Sequence, residues 1–268
     1  MKCGFAASSI ALAWTLLACT AFAADKPIRT PDAYDPDART VDVFKAMEDG
    51  ELDVKFIPKD EKEAVLLVEN KTDKPLNVRM PEAFAGVPVL AQFGGGLGGG
   101  GLGGGLGGGG GQGVGGGLGG GGLGGGLGGG GLGGGGGVFN VAPDKVGKLK
   151  VKSVCLEHGK PDPNPRMEYT IKPIETLTDK PEVVEICKML VRGEIDQASA
   201  QAAAWHLQDG LTWQQLAAKE KVHLSNGYVE MYFNRANLAL AVRASAVAAE
   251  RAKDTPQEVS PGEQQGAE

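Results

Sequence analysis

Along residues 52–57 apolar and polar side chains alternate, with Leu52, Val54 and Phe56 set against Asp53 and Lys55. A period of two marks a half-buried strand. Pro58-Lys59-Asp60 closes it. A second run at 64–69 ends in the turn-forming cluster Asn70-Lys71-Thr72-Asp73-Lys74-Pro75. Residues 76–80 alternate again and stop at Pro81, and 87–91 form a fourth candidate that Pro88 pushes towards a sheet edge. Further runs stand at 138–141, 146–155 and 167–171. A series of roughly six or seven short strands predicts an antiparallel Ig-like β-sandwich.

Between the fourth and fifth runs, every residue from 94 to 137 is Gly except Leu97, Leu102, Leu106, Gln112, Val114, Leu118, Leu123, Leu127 and Leu132. Glycine loses the most backbone freedom on ordering, and sparse leucines return little burial. The tract is therefore expected to be a disordered Gly/Leu loop outside the core, spanning roughly 35 Å end to end as a Gly-rich coil. Collagen would need a strict period of three with proline. A phosphate loop would need Lys-Ser or Lys-Thr after the glycines, where Val138-Phe139 stands.

Beyond residue 178 the period lengthens to that of helices. Pro181 suits a first turn, Val183, Val184, Cys187, Leu190 and Val191 form a stripe, and Gly193 suits an exit. Asp196 is placed to cap a second helix through Gln201, Trp205 and His206, closed by Asp209-Gly210. Thr212 starts a short one bearing Trp213 and Leu216. Asn234 caps the longest, with Leu238, Val242, Ala246 and Ala249 as its apolar stripe.

The first residues bear on compartment. Lys2 precedes an apolar run at 4–18, and Ala21-Phe22-Ala23 offers small residues at alternate positions, the pattern of a cleavable secretory signal. Leu16-Leu17-Ala18-Cys19 offers a minor alternative, lipidation at Cys19. The expected organisation is a signal peptide at 1–23 and an extended leader at 24–49. A sandwich at 50–175, interrupted by 94–137, a helical domain at 178–253 and a disordered tail at 254–268 follow. The expected location is secreted, periplasmic or in the cell envelope, with no membrane span in the mature chain. The 27 basic and 33 acidic residues, a formal net charge of −6, argue against a nucleic-acid partner.

Cys155 and Cys187 both follow the signal. In an exported chain they read either as a disulfide joining strands to helices or as two separate buried thiols. Cys155-x-x-His158 has ligand-like spacing, but a second pair is missing and His206 and His223 stand alone, so no metal or other cofactor is expected. Ser153 and Ser225 lack a nucleophile-elbow context. Trp205, Trp213, Tyr228, Tyr232 and Phe233 serve as core anchors or line a groove for a partner.

Val154-Cys155-Leu156-Glu157 and Ala200-Gln201-Ala202-Ala203-Ala204-Trp205 resemble the cysteine motif and the TQxA-aliphatic-W motif of thioester domains in bacterial surface adhesins. The resemblance implies Cys155 as the thiol and Gln201 as the acyl donor of an internal thioester that captures amines. Here Ala200 stands for the Thr and Ala204 for the aliphatic residue, and the motifs are closely spaced. Separately, residues 70–76, the Gly-rich insert and residues 154–160 resemble uncharacterised secreted proteins of planctomycete-type bacteria, a likeness that brings no activity with it. The leading expectation is a non-enzymatic cell-envelope module that binds an unknown protein or surface ligand. A thioester adhesin using Cys155 and Gln201 is the alternative from a different class, and an enzyme of unknown type ranks third.

Overall fold

The structure, a computed structural model, describes residues 26–89, 111–118 and 137–254. The expected signal peptide, Cys19 and the terminal tail from 255 lie outside the described residues. In chain order the elements begin with β1 (Ile28–Arg29), β2 (Arg39–Asp42), α1 (Val43–Glu48), β3 (Leu52–Pro58), β4 (Glu63–Asn70), β5 (Leu76–Arg79) and β6 (Phe84–Pro88). They continue with β7 (Val114–Gly117), β8 (Val138–Val141), β9 (Val146–Cys155) and β10 (Tyr169–Lys172). The last group is α2 (Pro181–Arg192), α3 (Gln197–Asp209), α4 (Trp213–Ala217), β11 (Glu220–His223), β12 (Val229–Met231) and α5 (Arg235–Asp254).

The Ig-like sandwich is not what forms. Strands β9, β4, β3, β10, β6 and β7 pair antiparallel in that order, and β7 returns to β9, closing a six-stranded barrel. Strand β1 adds to β9 in parallel. Closure removes the open edges that a sandwich would keep. It works because β9 is ten residues long. Its Val146–Lys152 portion pairs with β4 on one side, and Lys152–Cys155 pairs with β7 on the other. A smaller sheet runs β2-β5-β8.

The closing strand comes from the glycine tract, which corrects at residues 111–118 the expectation that the tract stays outside the core; residues 94–110 and 119–136 lie outside the described residues. Residues 111–118 are all buried. Glycine is required there by close approach. A Cβ on Gly115 would come within 2.6 Å of Cys187 Sγ and 2.8 Å of Leu156 Cδ1. On Gly116 it would run into the Lys152 carbonyl, and on Gly117 into the Glu82 carbonyl and Val191. Cys187 and Val191 belong to α2, which therefore lies flat on β7. Val114 and Leu118, 1 % and 7 % exposed, join the core.

The leader also departs from the extended form expected of it. Asn77 is fully buried. Its Nδ2 donates to the carbonyls of Asp35 (2.6 Å) and Ala38 (2.9 Å), while Oδ1 accepts from the Asp35 N–H at 3.1 Å. β2 then runs parallel to β5, and Asp42 caps α1, whose Val43 and Ala46 are buried. The buried amide of Asn77 gives the leader a fixed partner, which its polar, proline-bearing sequence does not announce.

The helices begin and end as the capping residues predict. Pro181 opens α2 and Gly193 leaves it at φ 76°. Asp196 accepts from Ser199 N at the start of α3, Thr212 forms a capping box with Gln215, and Asn234 accepts from Asn237 N at 2.8 Å before α5. The stripe on α5 is different from the one expected. Ala241, Ala244, Ser245 and Ala248 are buried, whereas Val242 is 45 % exposed. Small residues face inwards because α5 packs closely on α2 and α3. The hairpin β11–β12 is an element the periodicity did not show. Barrel and helices share one contiguous apolar core. Among the described residues no helix is long and apolar enough to cross a membrane.

Candidate functional site

Strand β9 outruns β4. The last ladder bond on that edge is Ser153 N–H to the Lys62 carbonyl at 2.9 Å, after which Cys155 would have an open backbone edge. Helix α3 supplies the missing partner with two glutamines one helical turn apart. Gln197 Nε2 donates to the Ser153 carbonyl at 3.2 Å. Gln201 then clasps Cys155 on both sides: Oε1 accepts the Cys155 N–H and Nε2 donates to the Cys155 carbonyl, each at 2.9 Å. Both residues are fully buried and stand 46 positions apart in the chain. A side-chain amide here plays the part of a neighbouring strand's peptide group, satisfying donors and acceptors that burial would otherwise leave unpaired.

The structure thus brings together Cys155 and Gln201. Cys155 Sγ lies 4.0 Å from the Glu61 carbonyl oxygen. Burial pushes the thiol pKa well up, and the charges of Asp162, Glu61, Asp209 and Asp60 push it further the same way. The thiol is therefore protonated at neutral pH, and a thiolate forms only when a nearby group takes the proton.

Around this buried pair stands a wall of aromatic and charged groups. Trp205, one turn beyond Gln201 on α3, is 3 % exposed and meets His158 edge-on at 4.9 Å, Tyr232 at 5.2 Å and Phe233 at 5.9 Å. Lys219 Nζ sits 5.1 Å from the Trp205 ring and 5.7 Å from that of Tyr232, and lies 2.9 Å from His158 Nε2. Desolvation and the Lys219 charge lower the His158 pKa, against the pull of Asp162, so the imidazole is neutral and accepts from the ammonium. Lys219 and Tyr232 frame the base of the β11–β12 hairpin, where Tyr232 N–H donates to the Lys219 carbonyl at 2.8 Å. Trp205 Nε1 and Gln112 Oε1 are buried without a hydrogen-bond partner.

The glycine tract reaches the same place. Val114 stands opposite Cys155, and Leu156 N–H donates to the Gly113 carbonyl at 2.9 Å. Gln112 N–H donates to the Pro161 carbonyl (2.9 Å), its own carbonyl accepts from Tyr169 Oη (2.7 Å), and its Nε2 donates to Asp162 Oδ1 (2.8 Å). Sequence reading passed over Gln112, Asp162, Gln197 and Lys219. Gln112 had one legible signal, as the sole polar residue in the tract.

Cys187 stands apart from Cys155 as a second buried free thiol, its Sγ turned to Gly115 of β7 and its pKa pushed up to about 12 by burial. No disulfide joins the two. His206 stacks on Trp213 at 4.1 Å and His223 pairs with Glu220 at 2.8 Å. Among the described residues no group of three or more His, Cys, Asp or Glu is placed to hold a metal. No family model, curated protein or solved structure matches the chain.

Proposed function

We propose that this chain is an exported, non-enzymatic cell-envelope module that binds an amine-bearing surface through an internal thioester between Cys155 and Gln201. The observation that carries the reading is the two-sided clasp of the Gln201 amide on Cys155. The Cys155 N–H donates to the oxygen on which negative charge would build as the thiol attacks Gln201 Cδ, the arrangement that stabilises a tetrahedral intermediate. Attack forms the S–C bond, breaks the C–Nε2 bond and releases ammonia. An incoming primary amine then forms an amide with Cδ and returns the Cys155 thiol. Each site acts once, so the chemistry is self-modification and not turnover. Burial of the pair excludes water, the competing nucleophile. The motif likeness around Cys155 and Gln201 supports the same assignment.

Intact mass of the full chain tests it. The expected result is a protein lighter by one ammonia, which regains the mass of a primary amine on incubation with methylamine. Cys155→Ser and Gln201→Ala abolish both changes. A wild-type protein of unaltered mass overturns the reading and leaves Gln201 as a structural clasp. In a chain lacking residues 1–23, whose cysteines are Cys155 and Cys187, loss of two hydrogens alone would instead report a disulfide between them.

A further inference from the structure

We infer that Gln112, carried into the barrel by the glycine tract, positions Asp162 as the proton acceptor for Cys155, an inference that rests on the thioester reading above. Thioester formation from a protonated, buried thiol needs a base, and capture of an ammonium needs one again. Neither Cys155 nor Gln201 supplies it.

The geometry points to Asp162. In an antiparallel pair, directly opposed residues and those two positions away share a face. Val114 opposes Cys155, so Gln112, two residues earlier, is directed to the face that carries the thiol. Gln112 is 2 % exposed and its backbone is held on both sides, by Pro161 and by Tyr169. Its one side-chain bond holds Asp162 Oδ1 at 2.8 Å. Asp162 itself stands at the exposed rim, where it can exchange its proton with solvent.

The electrostatics agree. Desolvation and the Glu61 charge raise the Asp162 pKa, while Lys219, the Gln112 hydrogen bond and His158 act to lower it, and the net direction is up. A carboxylate so raised is a stronger base than an ordinary surface aspartate. Among the charges acting on the Cys155 thiol, that of Asp162 is the largest, and it also reaches Tyr169 and Tyr232.

In the first step Asp162 takes the thiol proton. Sγ attacks Gln201 Cδ, and the proton leaves with Nε2 as ammonia. In the second step the amine nitrogen attacks Cδ, the C–S bond breaks, and Asp162 carries the amine's proton to the departing Sγ.

The test follows methylamine capture by intact mass on the full chain across pH. Asp162→Asn keeps the Gln112 contact, slows capture by about a hundredfold and removes the acidic limb of the rate profile. Gln112→Leu removes a hydrogen bond that favours the ionised carboxylate, so the limb persists but moves to higher pH. Should Gln112→Leu fail to fold, the exposed Asp162→Asn decides alone. If the wild type loses ammonia and Asp162→Asn captures at the wild-type rate, or slows with its acidic limb unchanged, the assignment of Asp162 falls while the thioester stands. If the wild type never loses ammonia, the thioester reading falls and this inference with it.

Discussion

Strands β4 and β7 flank β9 from opposite edges, yet share almost no sequence character. β4 alternates along its length, with Ala64, Leu66, Val68 and Asn70 buried and Glu63 exposed. β7 reads Val-Gly-Gly-Gly and is buried at every position. One strand is held by what its side chains bury, the other by what its missing side chains allow. Helix α2 covers one face of β7 at a distance that leaves no room for a Cβ, and the backbones of Glu82 and Lys152 crowd it as well. Ordering four glycine-rich residues costs backbone entropy. Two ladders of hydrogen bonds, barrel closure and the core contacts of Val114 and Leu118 offset it.

Adding a side chain should break the contrast most sharply. Gly117→Val places methyl groups against the Glu82 carbonyl and Val191, and the expected loss is about 3 kcal/mol or more, read as a collapsed denaturant midpoint. A stability equal to the parent would show that β7 does not lie under α2. Removing a side chain is the matching change in β4. Leu66 is fully buried, and Leu66→Ala should lower unfolding free energy by about 3 kcal/mol with the denaturant slope unchanged. A cost well under 1 kcal/mol would place Leu66 outside the core.

The smallest effect concerns charge, which β4 carries on its outer face and β7 lacks. Hydrogen bonds from Lys71 and Lys26 hold the Glu69 pKa below its ordinary value. A carboxyl lowered on folding contributes stability above its unfolded pKa and loses it as pH falls through the folded one. Glu69→Gln should therefore leave stability at low pH unchanged and remove less than about 1 kcal/mol at neutral pH, where the pair meets solvent. A variant equally weakened at both ends of the titration would assign Glu69 a packing role.

How far the site could be read in advance follows the same division. Cys155 and Gln201 were singled out by the residue types around them, but their meeting depends on β9 outrunning β4 and on α3 arriving where the ladder ends. Gln112 stood out as the lone polar residue among glycines, yet its value lies in the register that sets Val114 opposite Cys155. Asp162 lies in a proline-bearing loop without periodicity, and only the Gln112 contact gives it a place. Lys219 joins Trp205 through a hairpin whose strands are only a few residues long and mostly exposed, too short to write a pattern.

From its residues alone the chain dictated most strand and helix segments, because alternation, helical stripes, Pro181, Asp196, Thr212 and Gly193 are local instructions acting over a few positions. Tertiary structure alone decided that the sheet closes, that leader residues join it, and that glycines supply the closing strand. Each of these depends on the space left between distant backbones. A residue with no side chain writes no pattern by which such a space could be recognised.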